Sequence, residues 1–223
     1  MREESFLDRM PVYLWIIVIT SIISIAALIF FSINPETISI FALQPSAILA
    51  GQTLWTLVLH FFVHGSFFHL LINMFVLFSL GSLTERIIGR KRFFWLYIIS
   101  GLFAGILSVL LSGFFGNGIF EKAFGGPEVY MVGASGAIFA VAGLLMVLLP
   151  RLRFSIIFLP FFSLPAYIMV PVVLFLTWFI SVVSGLPVGN VAHFGGFIAG
   201  MIYGICLRQK YPQKTAMLQR HFR

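Results

Sequence analysis

The sequence predicts an all-α, polytopic integral membrane protein with six transmembrane helices. Of its 223 residues, 60% are hydrophobic and only 9% are charged, whereas about a quarter of the residues of a soluble domain are charged. The apolar residues form several long runs, which excludes a soluble domain behind a single signal peptide. Because a lone strand leaves its backbone groups unsatisfied in lipid, these runs are expected to be helices.

Six segments approach the about 20 apolar residues that cross a hydrocarbon core about 30 Å thick. They are residues 11–32, 66–84, 93–115, 134–149, 155–183 and 191–207. Residues 11–207 are therefore expected to form one membrane domain, with a short segment before it (1–10) and a basic tail after it (208–223). No seventh transmembrane helix and no soluble domain are expected.

The cations predict the orientation of these helices. Thirteen of the 14 Lys and Arg residues fall on one side of the predicted helices: Arg2, Arg9, Arg86, Arg90, Lys91, Arg92, Arg151, Arg153, Arg208, Lys210, Lys214, Arg220 and Arg223. Only Lys122 lies in a loop of the other side. The positive-inside rule then places both termini in the cytoplasm. The same clusters explain the net charge of +7, so the expected partner is the bilayer and not a nucleic acid.

Two of the six segments are irregular. The fifth contains Pro160, Pro165 and Pro171, which are expected to kink or break its helix. The fourth, from Ala134 to Leu149, spans only about 24 Å at 1.5 Å per residue. Its outer end is therefore expected below the membrane surface, where a loop is tolerated only if it lines protein or a water-filled cavity.

Polar residues inside apolar segments are costly, so each is a functional candidate. Four lie toward the non-cytoplasmic face: His69 and Asn73 in the second segment, Ser135 in the fourth and His193 in the sixth. Small neighbours leave the Ser135 hydroxyl accessible, and the unpaired N–H groups of a helix N-terminus suit a developing oxyanion. The alternative is a serine that only caps its helix.

Two small-residue surfaces favour an encounter between Ser135 and His193. They are formed by Gly136, Ala140 and Gly143 in the fourth segment and by Gly196, Gly200 and Gly204 in the sixth. Such surfaces allow close helix packing, which would bring the serine and the histidine together as nucleophile and base. The alternative is that the glycines only pack and the histidine only binds a carbonyl.

His69 and Asn73 are four residues apart and share a helix face. Together with the Ser135 backbone N–H they are expected to hold the oxyanion of a tetrahedral intermediate. A metal site is the competing interpretation, because His60 and His64 lie close by in the sequence. No carboxylate is available at that depth and no HExxH motif occurs, so no metal or cofactor is expected.

The carboxylates argue for a dyad. The chain has seven: Glu3, Glu4, Asp8, Glu36, Glu85, Glu121 and Glu128. None falls in the outer half of an apolar segment, so a Ser-His-Asp triad lacks its third member, and Glu128 is only a remote candidate. The His193 ring is instead expected to be oriented by packing against Phe139. The only cysteine, Cys206, lies about 20 Å along the helix from His193, too far for a nucleophile.

Three blocks of this sequence, read together, resemble the rhomboid family of intramembrane serine proteases over roughly residues 51–207. They are LHFFVHGSFFHLLIN with His60, His64, His69 and Asn73, then GASG with Gly133, Ser135 and Gly136, then AHFGGFIAG with His193, Gly196 and Gly200. The resemblance implies a rhomboid-like fold with Ser135 and His193 as the dyad. It implies that His69 and Asn73 join the oxyanion hole, and that the loop before the second helix lies partly in the membrane. Substrates of the family are single transmembrane helices cut near their outer ends at small residues.

Two positions depart from the family pattern. Many relatives carry a Trp-Arg pair where this chain has Trp55-Thr56, and a tyrosine where Phe139 stands. The first change concerns the anchoring of the loop, and the second removes only a hydroxyl. The chain resembles the minimal prokaryotic form, which implies a plasma-membrane location. A catalytically silent binder of membrane helices and a small transporter or channel are the alternative functions.

Overall fold

A computed structural model of the chain describes residues 10–156, 159–185 and 189–222. Its principal helices, labelled here in chain order, are α1 (Val12–Ile33), α2 (Phe67–Ile88, with a π-helical segment at Leu77–Gly81), α3 (Arg90–Phe115), α4 (Ser135–Leu148), α5 (Ala166–Ser184), α6 (Asn190–Lys210) and α7 (Pro212–His221). Within the described residues, five of them, α1, α2, α3, α5 and α6, are long and apolar enough to cross a membrane. The predicted all-α polytopic membrane protein is thereby confirmed, whereas the fourth predicted segment, residues 134–149, forms the shorter helix α4.

Short helical segments fill the two long loops. Between α1 and α2 they are Pro35–Thr37, Ile38–Phe41, Pro45–Leu49, Thr56–Leu59 and His60–Phe62, and between α3 and α4 they are Gly118–Phe120 and Glu121–Phe124. An isolated antiparallel bridge joins the loops, because Leu43 and Met131 exchange backbone hydrogen bonds of 3.0 and 2.8 Å. The two loops thus form one layer over the same end of the bundle.

The prediction of a fifth helix over residues 155–183 is wrong for the part before Ala166. Strand β1 (Arg153–Ile156) pairs antiparallel with β2 (Leu159–Pro165), with Arg153 opposite Pro165. Helix α5 begins only after Pro165, whose backbone is extended with ψ 149°. Proline lacks an N–H and forces the preceding residue toward extended backbone, so Pro160 and Pro165 belong to a strand. Pro171 alone lies inside the helix.

Helix α4 is the centre of the bundle. It has 14 residues, or about 21 Å at 1.5 Å per residue, and ten of them are buried. It packs mainly against α6 and α3. The outer surfaces of other helices carry the exposed apolar side chains, such as Ile22 on α1 (64% exposed) and Val183 on α5 (69% exposed). Lipid therefore meets the surrounding helices, while α4 can be shorter than the bilayer.

A buried carboxylate joins the ends of three helices at the side opposite the long loops. Glu85 of α2 accepts hydrogen bonds from the backbone N–H groups of Val12 (2.9 Å) and Tyr13 (2.8 Å). The N-cap residue, Pro11, offers no side-chain bond, so Glu85 satisfies two of the free N–H groups of α1 and interacts favourably with its dipole. The Arg90 Nε, at the start of α3, lies 3.9 Å from the same carboxylate.

Candidate active site

Ser135 is the first residue of α4. It lies at the end of the helix that the two long loops cover. Ala134 occupies the N-cap position, and no side chain caps the helix. The interpretation of Ser135 as a helix cap is therefore wrong. Its hydroxyl oxygen instead lies 2.7 Å from Nε2 of His193, near the start of α6.

The close approach of α4 and α6 depends on glycines. A Cβ atom on Gly196 would overlap the carbonyl oxygen of Gly136, and one on Gly200 would overlap that of Ala140. Farther along the interface, a Cβ on Gly143 would lie 2.6 Å from the carbonyl oxygen of Phe197. Because the two backbones touch directly, the side chains at the loop-covered end are brought within hydrogen-bonding distance. The small-residue surfaces seen in the sequence thus meet each other.

The His193 ring is buried, with 6% of the residue exposed. It packs on Phe139, with ring centroids 4.7 Å apart and planes inclined by 33°. Within the described residues, no atom accepts a hydrogen bond from His193 Nδ1. Glu128, the remote triad candidate, instead accepts hydrogen bonds from Gln44 Nε2 and Ser46 Oγ, both at 2.9 Å. In this arrangement His193 is positioned by ring packing.

A chain of hydrogen bonds connects α1 to the residue before Ser135. Ser24 Oγ lies 2.9 Å from the Phe62 carbonyl oxygen and 2.9 Å from Nδ1 of His64. The His64 Nε2 accepts the backbone N–H of Ala134 at 3.3 Å. One assignment satisfies all three contacts: the serine donates to the carbonyl, Nδ1–H donates to the serine, and Nε2 is left as the acceptor. Burial lowers the pKa of His64 to about 3. The ring is therefore neutral, as this series of hydrogen bonds requires.

His69 and Asn73 line the same cavity as Ser135 and His193. Gly133 has φ 125°, and a Cβ there would lie 2.8 Å from Cε1 of His69. This position therefore admits only glycine without strain, and the His69 ring rests directly on the backbone that leads to Ser135. The Asn73 Nδ2 donates to the His69 carbonyl at 2.9 Å. Its second N–H remains as a donor, since an amide nitrogen carries two.

The cavity has a volume of about 1100 Å³. From the four polar residues it continues between α2 and α5, where its lining includes Leu80 and Thr177, and it reaches Arg153 in β1. The site is thus open to an elongated, mostly apolar ligand along the space between two spanning helices.

The other predicted features lie close by. His60 is tied to its own segment, with Nδ1 2.8 Å from the Thr56 carbonyl oxygen, and its carbonyl accepts the backbone N–H of Gly133 at 2.9 Å. Across the residues the structure describes, no cluster of His, Cys, Asp or Glu could hold a metal ion. Trp55, beside the position where an arginine is absent, donates its indole N–H to the Ile40 carbonyl at 2.9 Å. That bond anchors the loop.

Ser24 is a residue of the site that the sequence did not predict. Its signal was present, since it is a polar residue within the apolar run of α1, but a serine can also bond to its own helix backbone. Cys206, by contrast, is exposed on α6.

Comparison with known proteins gives a consistent result. Residues 51–210 match the family model of the Rhomboid domain. The chain is 32% identical to RHOMBOID-like protein 5 of Arabidopsis thaliana over 172 residues, which are 76% of this chain and 50% of that protein. It is 30% identical to the Rhomboid protease GlpG of Haemophilus influenzae over 152 residues, 67% of this chain and 68% of that protein.

The human mitochondrial Presenilin-associated rhomboid-like protein is 30% identical over 147 residues, 66% of this chain and 36% of that protein. The chain thus spans about half the length of the plant relative and about a third of the human one. Its similarity to the bacterial protease covers a larger share of that protein.

Proposed function

The chain belongs to the rhomboid family, and from that premise we propose that it is an intramembrane serine endopeptidase acting through a Ser135–His193 dyad. The observation that supports this most directly is the 2.7 Å contact between Ser135 Oγ and His193 Nε2. A nucleophile and its base must share such a contact. Here they share it at the end of a helix too short to cross the bilayer.

In the proposed mechanism, His193 Nε2 takes the proton of Ser135 while Oγ attacks a peptide carbonyl carbon. The tetrahedral intermediate collapses to an acyl-enzyme as the imidazolium returns the proton to the leaving amine. His193 then removes a proton from water, which hydrolyses the ester and releases Ser135. No cofactor takes part. Phe139 takes over the orienting role that a carboxylate plays in a triad, because it holds the ring plane by contact.

The oxyanion is proposed to be held by His69, Asn73 and the backbone N–H of Ser135. The position of His69 against Gly133 and the free amide hydrogen of Asn73 support this assignment. The Ser135 N–H is the first of α4 and has no partner within that helix. Removal of a single oxyanion donor costs about 2.7–4 kcal/mol in known enzymes.

The proposed substrates are transmembrane helices, cut near their outer ends. The cavity between α2 and α5 supports this, because an apolar helix that unwinds at one end can lie there with its peptide bond near Ser135. The cation distribution supports cytoplasmic termini and a site toward the non-cytoplasmic side. The proposed location is a prokaryotic plasma membrane, which the similarity to the bacterial protease supports.

Labelling by a fluorophosphonate probe tests this function directly. The chain in detergent or liposomes is expected to be labelled, whereas Ser135→Ala and His193→Ala are not. The matched control is Ser100→Ala, which removes a buried hydroxyl bonded to the Leu96 carbonyl of its own helix. Cleavage of a transmembrane substrate by Ser135→Ala should fall at least about 10³-fold in kcat/KM. Undiminished cleavage would end the proposal, while absent labelling of the unaltered chain would favour a silent binder or a transporter.

A further inference from the structure

Three cations surround one tyrosine ring where α3 begins and α6 ends. The centroid of the Tyr211 ring lies 5.2 Å from Arg92 Cζ, 5.8 Å from Lys210 Nζ and 5.7 Å from Lys214 Nζ. Arg92 also donates a hydrogen bond of 2.9 Å to the Tyr211 hydroxyl. These four residues are called the Tyr211 cluster below. Their convergence focuses three positive charges on a small volume.

No carboxylate balances these charges in the part of the chain that the structure describes. The one ion pair found there joins Arg90 to Glu85, and that carboxylate is already bonded to α1. The remaining described carboxylates, Glu36, Glu121 and Glu128, belong to the loops at the opposite end of the helices. Three like charges gathered on one ring repel one another, so the cluster favours an anionic ligand.

The cluster lies at the level of a membrane surface. Arg92 is in the first turn of α3, and Lys210 is the last residue of α6. Both helices are long and apolar enough to span a bilayer, so their ends reach the zone where hydrocarbon gives way to lipid headgroups.

Helix α7 carries the third cation across the ends of the other helices. On its inner side, Gln219 Nε2 donates to the Leu148 carbonyl at the end of α4 (3.1 Å), and Leu218 packs against the core. On its outer side, Met217 is 70% exposed one turn after the exposed Lys214. An apolar side chain beside a cation at this level is typical of a helix surface that contacts the membrane interface.

We propose that the Tyr211 cluster binds the phosphate of an anionic phospholipid headgroup. The ammonium groups of Lys210 and Lys214 and the guanidinium of Arg92 would donate to the phosphate oxygens, as Lys and Arg do in charge-assisted bonds, and Met217 would contact the adjoining lipid. Cations that only set topology need no common focus, and it is the shared focus on Tyr211 that points to a ligand. The proposal is independent of the dyad.

Native mass spectrometry of the full chain in detergent tests it. The protein is titrated with phosphatidylglycerol and, separately, with phosphatidylcholine of the same acyl chains. The test variant is Lys210→Gln/Lys214→Gln. The control is Lys91→Gln/Arg208→Gln, which removes the same charge from exposed positions of the same end outside the cluster. Thermal melting checks that both double variants fold. If Lys210→Gln/Lys214→Gln does not fold, the single variant Lys214→Gln, on the surface of α7, replaces it.

The unaltered chain and the control are expected to retain phosphatidylglycerol in preference to phosphatidylcholine. The cluster variant should bind phosphatidylglycerol about 25-fold more weakly, from about fivefold for each cation near an anionic surface. An equal loss in the control variant would show a general effect of charge and overturn the proposal. Equal retention of both lipids would do the same. Displacement of the lipid by equimolar glycerol 3-phosphate would make the ligand a soluble anion and refute a lipid site.

Discussion

The substitution Gly143→Ala tests whether the backbone contact between α4 and α6 sets the distance between the proposed nucleophile and base. Gly143 is two helical turns from Ser135 and touches no proposed catalytic group. The new Cβ would lie 2.6 Å from the Phe197 carbonyl oxygen, where ordinary contact begins at 3.4 Å. The backbone of α6 cannot yield as a side chain can, so the helices must separate by about 0.8 Å or bend, at a cost of about 1–3 kcal/mol.

A helix separation of about 0.8 Å is enough to break the hydrogen bond between Ser135 and His193. If the helices move apart as rigid bodies, the Ser135–His193 distance of 2.7 Å grows to about 3.5 Å, beyond the about 2.6–3.2 Å within which a base takes its proton. Misplacement by about 1 Å can cost about 10²-fold in rate. We expect kcat/KM for a transmembrane substrate to fall between about tenfold and 10²-fold. Most of the loss should be in kcat, because the substitution leaves unchanged the part of the cavity between α2 and α5 that is proposed to hold the substrate helix.

The matched control is Gly195→Ala, on the partner helix α6. It makes the same replacement, and the closest atom to its new Cβ is the Leu107 Cδ2 at 2.9 Å, the flexible end of a side chain. Its activity should stay within about twofold, since a terminal methyl can rotate away. The reasoning is refuted if Gly143→Ala, shown to be folded by its melting curve, is as active as Gly195→Ala.

Substitutions at two further positions, Ser24 and Phe139, probe the surroundings of the dyad. Ser24→Ala removes the hydroxyl that His64 Nδ1 contacts. We expect kcat/KM to fall about fivefold to tenfold, because a lost buried hydrogen bond costs about 1 kcal/mol or more. Cleavage assays at matched protein concentration measure this loss, and unchanged activity would show that these hydrogen bonds do not position Ser135. Phe139→Tyr keeps the ring that packs on His193 and should retain activity within about twofold. Phe139→Ala removes a contact worth about 0.5–1.5 kcal/mol and leaves the imidazole mobile, so kcat should fall at least about tenfold. Equal activities of the two variants would contradict the orientation of His193 by packing.

Hydropathy alone predicted most of the spanning helices. The predicted bounds of the first, third and sixth segments lie within about three residues of α1, α3 and α6, because a bilayer imposes one length and one composition on all of them. The fifth segment failed because its apolar residues suit a strand as well as a helix. There the prolines decide the structure: Pro160 and Pro165 lie in the strand, and the helix begins only after Pro165.

The meeting of Ser135 with His193 could also be predicted, since two glycine surfaces with a polar residue at corresponding ends leave few other ways to pack. The link from Ser24 through His64 could not. A serine within an apolar helix is common and costs little, and no spacing in the sequence tells which loop will fold over it. The Tyr211 cluster is equally hidden, because its cations belong to three helices that converge only in the fold.

Helix α4 is held at its lower end by Gln219 and surrounded by protein for most of its length. In the proposed orientation, the distance of Ser135 from the cytoplasmic membrane surface is thus fixed by α4. It does not depend on where the opposite membrane surface lies. Membranes differ in thickness by a few ångströms. In a bilayer about 3 Å thicker, the bond presented to Ser135 would lie about two residues deeper in a helical substrate. One enzyme could then cut one substrate at different places in different membranes.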